Sequence, residues 1–184
     1  MQSTSGSVTI ERLTARYVDV TYQAATQSVK DTFPWMEWCH PDLQRDELAA
    51  FMASLDQAWD QGGAFTFAIV DPATGEFLGV AGLNRIHKAE KFGNLHYWVR
   101  SGRTRRGIAT QAATLVCLFG IKELGLQRIG IVVPEGNVAS EHVAQKLGAT
   151  REGILRNGTR LHDRQMNATQ YSIIPSDLER SLAA

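Results

Sequence analysis

An α/β fold, built as one domain around a mixed sheet, is predicted by three observations. Strand-like segments with period-two alternation recur between helix-like segments of period near 3.6. Residues 64–70 and 77–86 are joined by Asp71-Pro72-Ala73-Thr74-Gly75, whose composition is that of a hairpin turn. A long apolar helix then links the strand Asn94–Arg100 to the strand Arg128–Val133, and such a crossover favours a parallel, right-handed pair. With 184 residues and 43% hydrophobic content, the chain can enclose one full core. The domain is expected to span residues 1–184, with 1–8 and 176–184 peripheral.

Taken in order, Val8 to Leu13 alternates like a strand and Val18 to Asp31 has helical spacing, ended by Phe33-Pro34. The segment from Phe33 to Pro41 holds two prolines and keeps neither period, so it reads as an aromatic loop. Asp42 is the expected cap of a helix from Leu43 to Trp59, with Leu48, Phe51, Met52, Leu55 and Trp59 on its apolar face and Gly62-Gly63 closing it. After the hairpin and the strand Asn94–Arg100, a helix runs from about Arg105 to Leu124 and stops at Gly125. The strand Arg128–Val133, a helix over Asn137–Leu147, and strands near Ala149–Arg156 and Gln165–Ile174 complete the sheet.

Nineteen basic and nineteen acidic residues cancel, which argues against a general attraction to nucleic acid or an anionic membrane. The local exception is the basic run from Arg100 to Arg106. Two distant cysteines, Cys39 and Cys117, support neither a disulfide framework nor a zinc site, and no metal is expected. The polar start lacks the apolar stretch of a signal peptide, and no apolar run reaches membrane-spanning length, so a soluble cytoplasmic protein is expected.

The chemistry concentrates between Gly93 and Gly153. Arg103-Thr104-Arg105-Arg106-Gly107-Ile108-Ala109-Thr110 lies between a strand and a helix start. A loop so placed presents backbone N–H groups to an anion, and Gly107 allows close approach, so a phosphate or pyrophosphate is the expected ligand. Further on come Asn137, Ser140, Leu147-Gly148 and Glu152-Gly153. In these residues the chain resembles the GNAT superfamily of N-acetyltransferases, in its RimJ/RimL branch. The family's acetyl-CoA loop, Gln/Arg-x-x-Gly-x-Gly/Ala, falls on Thr104-Arg105-Arg106-Gly107-Ile108-Ala109, with Thr104 where Gln or Arg is usual. The resemblance implies a GNAT-like, mostly antiparallel sheet with a central splayed parallel strand pair, flanked by helices.

It also implies attack of a neutral amine on acetyl-CoA through a tetrahedral intermediate, coenzyme A leaving as a thiolate. The expected cofactor contacts are Trp98, Val99, Arg100, Thr104, Arg105, Arg106, Gly107, Ile108, Ala109, Thr110, Asn137 and Ser140. Backbone amides near Trp98 to Arg100 would polarise the thioester, and Ser140 would donate to the leaving sulfur. Asn137 is read as a helix cap, as a cofactor contact, or as both, and Ser140 has the alternative of a first-turn residue bonded to backbone. The family often places a carboxylate base where this chain has Asn94, and a second near Thr159; both are missing. His96 shares a strand face with Asn94 and Trp98, and its ordinary pKa near ~6.5 suits a base. Glu135, His162 and Asp163 are alternatives, and an α-amino acceptor, with a pKa near ~7.7–8.0, is partly neutral without one.

Trp35 and Trp38 of the aromatic loop are candidates for acceptor selection, against a reading in which both are core. Three functions compete. The first is an N-acetyltransferase, acting on a protein N-terminus or on a small amine such as a polyamine or an antibiotic. The second is a non-catalytic acyl-CoA-binding module, motivated by the two missing carboxylates. The third, a phosphotransferase suggested by the glycine spacing of Gly102 to Gly107, fails because Ile108-Ala109 replaces the Lys-Ser/Thr such a loop needs.

Overall fold

The computed structural model describes residues 2–5 and 8–183. Among these described residues eight strands form one sheet: β1 (Gln2–Ser5), β2 (Val8–Arg12), β3 (Phe65–Val70), β4 (Phe77–His87), β5 (Phe92–Val99), β6 (Arg128–Pro134), β7 (Thr150–Leu161) and β8 (Arg164–Ile173). Five helices accompany them: α1 (Val18–Thr32), α2 (Arg45–Asp60), α3 (Ile108–Lys122), α4 (Val138–Lys146) and α5 (Pro175–Ala183). The strand order is β1-β2-β3-β4-β5-β6-β8-β7. Every neighbouring pair is antiparallel except β5 and β6. The expectation for the chain ends falls partly on residues 1, 6, 7 and 184, which lie outside the described residues.

The parallel pair is short. β5 and β6 register only at Phe92↔Arg128, Gly93↔Ile129 and Asn94↔Gly130. Beyond that point β5 stays on β4 as far as Val99, and β6 stays on β8 as far as Pro134. The two strands therefore diverge, and the sheet opens at its centre in the splay that the resemblance implied.

Alternation along β3 sends Phe67 and Ile69 to one face and Ala68 and Val70 to the other, all buried. On the first face α3 packs Leu115, Val116 and Cys117 with Leu83, Leu95 and Ile129. On the second, α1 and α2 bring Ala24, Ala25, Leu48 and Met52 onto Ala68, Val70 and Trp98. Covering both faces is what makes these strands read as continuous apolar runs.

Three local expectations are corrected. Gln44, not Asp42, caps α2, because Glu47 reaches back to the Gln44 amide in a capping box. Phe51 is 44% exposed, lying stacked against Trp38 instead of facing the core. α3 begins at Ile108 and not near Arg105, since Arg105 (φ 62) and Gly107 (φ 76) both take left-handed conformations that a right-handed helix cannot continue.

Candidate active site

The splay opens into a cleft of about 740 Å³. One wall is the diverging end of β5 (Tyr97, Trp98, Val99), and the next is the loop Thr104–Thr110 with the first turn of α3. The cleft face of α4 forms a third wall, and the end of α1 with Trp35 and Met36 the fourth. The first helical N–H bond of α3 runs from the Gln111 amide to the Gly107 carbonyl (3.0 Å). The amides of Ile108, Ala109 and Thr110 precede it, so they have no carbonyl acceptor one turn back within the helix. Together with the positive end of the helix dipole they can receive an anion at the Gly107 corner.

Of the sequence-predicted contacts, the cleft brings together Trp98, Val99, Thr104, Arg105, Gly107, Ile108, Ala109, Thr110, Asn137 and Ser140. It does not bring in Arg100, Arg106 or His96. Arg100 is used as a strut: its guanidinium donates to Glu76 (3.3 Å), to the Phe77 carbonyl (3.4 Å) and to Gln27 (2.8 Å). Arg103 reaches the cleft wall but is held by the same Glu76 through two bonds of 3.0 and 2.6 Å. The Arg103 guanidinium in turn holds the Glu76 carboxyl below the usual carboxylate range. With the Ser101 amide donating to Ser28 (3.0 Å), these bonds fix the start of the loop between β4 and α1. Arg105 is the exposed cation at the anion corner.

His96 lies over Gly82, where an added Cβ would come within 2.7 Å of its Nε2. Loss of hydrating water holds its pKa down at about 4, against an ordinary 6.5. The unfolded chain thus takes up a proton below pH 6.5 that the native protein refuses until about pH 4. Stability is complete above that window and falls through it, by up to about 3 kcal/mol. His96→Gln should flatten the decline in melting temperature between these pH values; an undiminished decline would assign it to other groups.

Tyr97, on the opposite side of β5 from His96, was not among the sequence-predicted residues. Its hydroxyl lies 2.8 Å from Ser140 Oγ and can also donate to the Ser140 carbonyl at 3.2 Å. Burial pushes the Tyr97 pKa up to about 12, so the phenol keeps its proton throughout the physiological range. Asn137 caps α4 by accepting from the Ser140 amide (3.1 Å) and also lines the cleft.

The two loop tryptophans divide. Trp38 packs edge-on against Trp98 (5.4 Å between centroids) in the α1/α2 core. Trp35 lines the cleft instead, and its ring tip lies 3.7 Å from the position a Cβ would take at Gly136, across the opening. Of the alternative bases, none lines the cleft. The His162 ring bonds the Phe33 carbonyl (2.9 Å) and Asp163 pairs with Arg160. Asn94 donates to Asn84 at 3.0 Å.

Among the described residues no three His, Cys, Asp or Glu side chains gather as a metal site. Within the same residues no helix is long and apolar enough to cross a membrane.

Comparison with known proteins joins this geometry to a family. The model of the acetyltransferase (GNAT) domain matches residues 8–150. The N-acetyltransferase YoaA of Bacillus subtilis is 30% identical over 101 residues, which cover 55% of this chain and 57% of that one. Mycobacterium smegmatis RimJ, solved with CoA-disulfide, superposes with a TM-score of 0.86 at 22% identity, covering 96% of this chain and 88% of the other. RimL, the ribosomal L7/L12 α-N-protein acetyltransferase, solved with coenzyme A, gives 0.86 at 19% identity over 94% and 96% of the two chains. At these identities the two superpositions are likenesses of fold. With the domain model matched from the first core strand to the start of β7, and the splayed sheet it belongs with in place, this chain is a member of the GNAT acetyltransferase family.

Proposed function

We propose that the protein is an acetyl-CoA-dependent N-acetyltransferase whose acceptor is the α-amino group of a protein N-terminus. The observation that carries this reading is one continuous cleft, joining an anion-receiving helix start at Gly107 to the Tyr97–Ser140 hydroxyl pair beside diverging strands. Acetyl-CoA supplies the activated acetyl group that a neutral amine attacks. The residues of the chain hold and polarise. The amides of Ile108, Ala109 and Thr110, with Arg105, hold the pyrophosphate. The β5 edge that β6 leaves along Tyr97 to Val99, still paired with β4 on its other side, faces the acyl carbonyl, and the Tyr97–Ser140 pair points a proton at the departing sulfur. At a pKa of about 12 the Tyr97 phenol is a hydrogen-bond donor and not a full acid toward a thiolate, whose conjugate thiol ionises near ~8.5.

The acceptor reading rests on charge. Among the described residues lining the cleft, Asp31 is the one carboxylate, against Arg105 and Lys146, while Arg103 is paired with Glu76. A polyamine would meet repulsion there at each of its several charges, whereas a peptide N-terminus brings a single amine that loses its proton near neutral pH. Trp35 stands over the opening and limits the size of the incoming residue. Two unpaired buried thiols, Cys39 and Cys117, agree with a cytoplasmic setting.

The test is free-thiol release from acetyl-CoA against short N-terminal peptides, polyamines and aminoglycosides. Peptides with small first residues should exceed the other amines roughly tenfold or more in kcat/KM. Turnover confined to polyamines or aminoglycosides would overturn the N-terminal reading. Cofactor binding without turnover on any amine would make the protein an acyl-CoA-binding module.

A further inference from the structure

We propose that the tip of the β7–β8 hairpin is a clasp: His162, with Glu37, positions the Trp35 wall of the cleft from behind and so sets how large a first residue the acceptor can carry. The inference rests on the reading of the cleft as an acetyltransferase site open to a peptide N-terminus.

The wall begins where α1 ends. Thr32 Oγ1 accepts from Trp98 Nε1 (2.7 Å), which ties this end to β5, and the Thr32 carbonyl accepts from the Trp35 and Met36 amides (2.9 Å each). Residues 32–37 therefore make one further turn with two sides. Thr32, Trp35 and Met36 line the cleft, whereas Phe33 and Glu37 do not. Those two meet the hairpin instead. Glu37 Oε1 accepts from the His162 amide, His162 Nε2 bonds the Phe33 carbonyl at 2.9 Å, and the His162 and Phe33 rings meet edge to face with centroids 4.4 Å apart.

The hairpin turn is shaped to present His162. Leu161 pairs with Arg164, and the two residues between them, His162 and Asp163, both take positive φ (49 and 60), as a tight two-residue hairpin turn of this kind requires. Asp163 is paired with Arg160, while His162 reaches the loop. No described residue of β7, β8 or their turn lines the cleft, so the clasp touches neither the Gly107 corner nor the Tyr97–Ser140 pair. Its effect on the reaction passes through Trp35, whose ring tip stands 3.7 Å from the Cβ position of Gly136 across the opening. A wall pinned from behind keeps that gap narrow, and a released wall widens it.

Two substitutions open the clasp. His162→Asn removes the ring but suits the left-handed turn, and Glu37→Ala removes the accepting oxygen. In the double variant, hydrogen exchange of the Trp35 and Met36 amides should accelerate roughly tenfold, while α3 keeps its wild-type exchange and calorimetry shows unchanged affinity for coenzyme A. The preference in kcat/KM for a peptide beginning with serine over one beginning with leucine should fall about tenfold, through the KM of the peptides. Glu37→Gln, which keeps an accepting oxygen, should retain both the slow exchange and the preference. Unaltered exchange in the double variant, or an unaltered preference despite faster exchange, would overturn the proposal. Wild type turning over no peptide would overturn the N-terminal reading instead, and exchange at Trp35 and Met36 would then decide the clasp by itself.

Discussion

Gly107→Glu should abolish measurable coenzyme A binding while leaving the fold standing. Gly107 caps α3 at φ 76, and a Cβ added there meets only Gln111 Nε2, at 3.5 Å. A side chain at this corner therefore costs the fold about 1–2 kcal/mol, from the left-handed backbone alone. The effect on the ligand is of another size. A carboxylate placed about 4 Å from a phosphate charge at a partly wetted surface is repelled by about 4 kcal/mol, or on the order of a thousandfold in Kd. Gly107→Ala separates the two contributions, since it carries the backbone strain without the charge and should weaken binding by less than about tenfold. Calorimetry on both variants, with circular dichroism to verify folding, measures the difference. Retained affinity in Gly107→Glu would move the pyrophosphate away from the Gly107 corner.

Ser140→Ala should lower kcat by roughly 10- to 100-fold and leave the affinity for coenzyme A within a few-fold. A hydrogen bond to a charged partner contributes about 1.5–3 kcal/mol, and the sulfur carries full charge only as it departs. Removing the hydroxyl does not uncap α4, because the cap uses the Ser140 amide and the Asn137 side chain. Tyr97→Phe gives the second half of the test. If Tyr97 orients the Ser140 hydroxyl through their 2.8 Å contact, the two losses will not add in the double variant. Additive losses would mean that each hydroxyl reaches the sulfur independently, and an unchanged kcat in Ser140→Ala would return Ser140 to a structural role.

Much of this architecture was legible because its causes are local. Period-two alternation marks Phe65–Val70 as a strand whatever covers it, and the apolar run of α3 marks a buried helix between two strands that then have to run parallel. The glycine loop could be placed for the same reason: a left-handed cap before a helix leaves its trace within a few residues, as Gly107 does. Where elements meet, the local trace stops. Arg103 and Arg105 look alike in a basic run, yet Glu76, 27 residues from Arg103, holds one of them and leaves the other at the cleft. Tyr97 and Ser140 are 43 residues apart, and nothing in either neighbourhood announces their contact. The alternation of β5 put His96 and Tyr97 on opposite faces, but that Tyr97 lines the cleft and His96 does not is a property of the assembled sheet, opened where β6 diverges. Trp35 and Trp38 are three residues apart in one loop, and packing sends one into the opening and the other into the core. Element type and order follow from short-range sterics and hydrophobic period, which the chain carries residue by residue. Which charges are free, which hydroxyls touch and which aromatic lines the cleft depend on distances between elements, and those exist only once the sheet has splayed and the helices have packed against it.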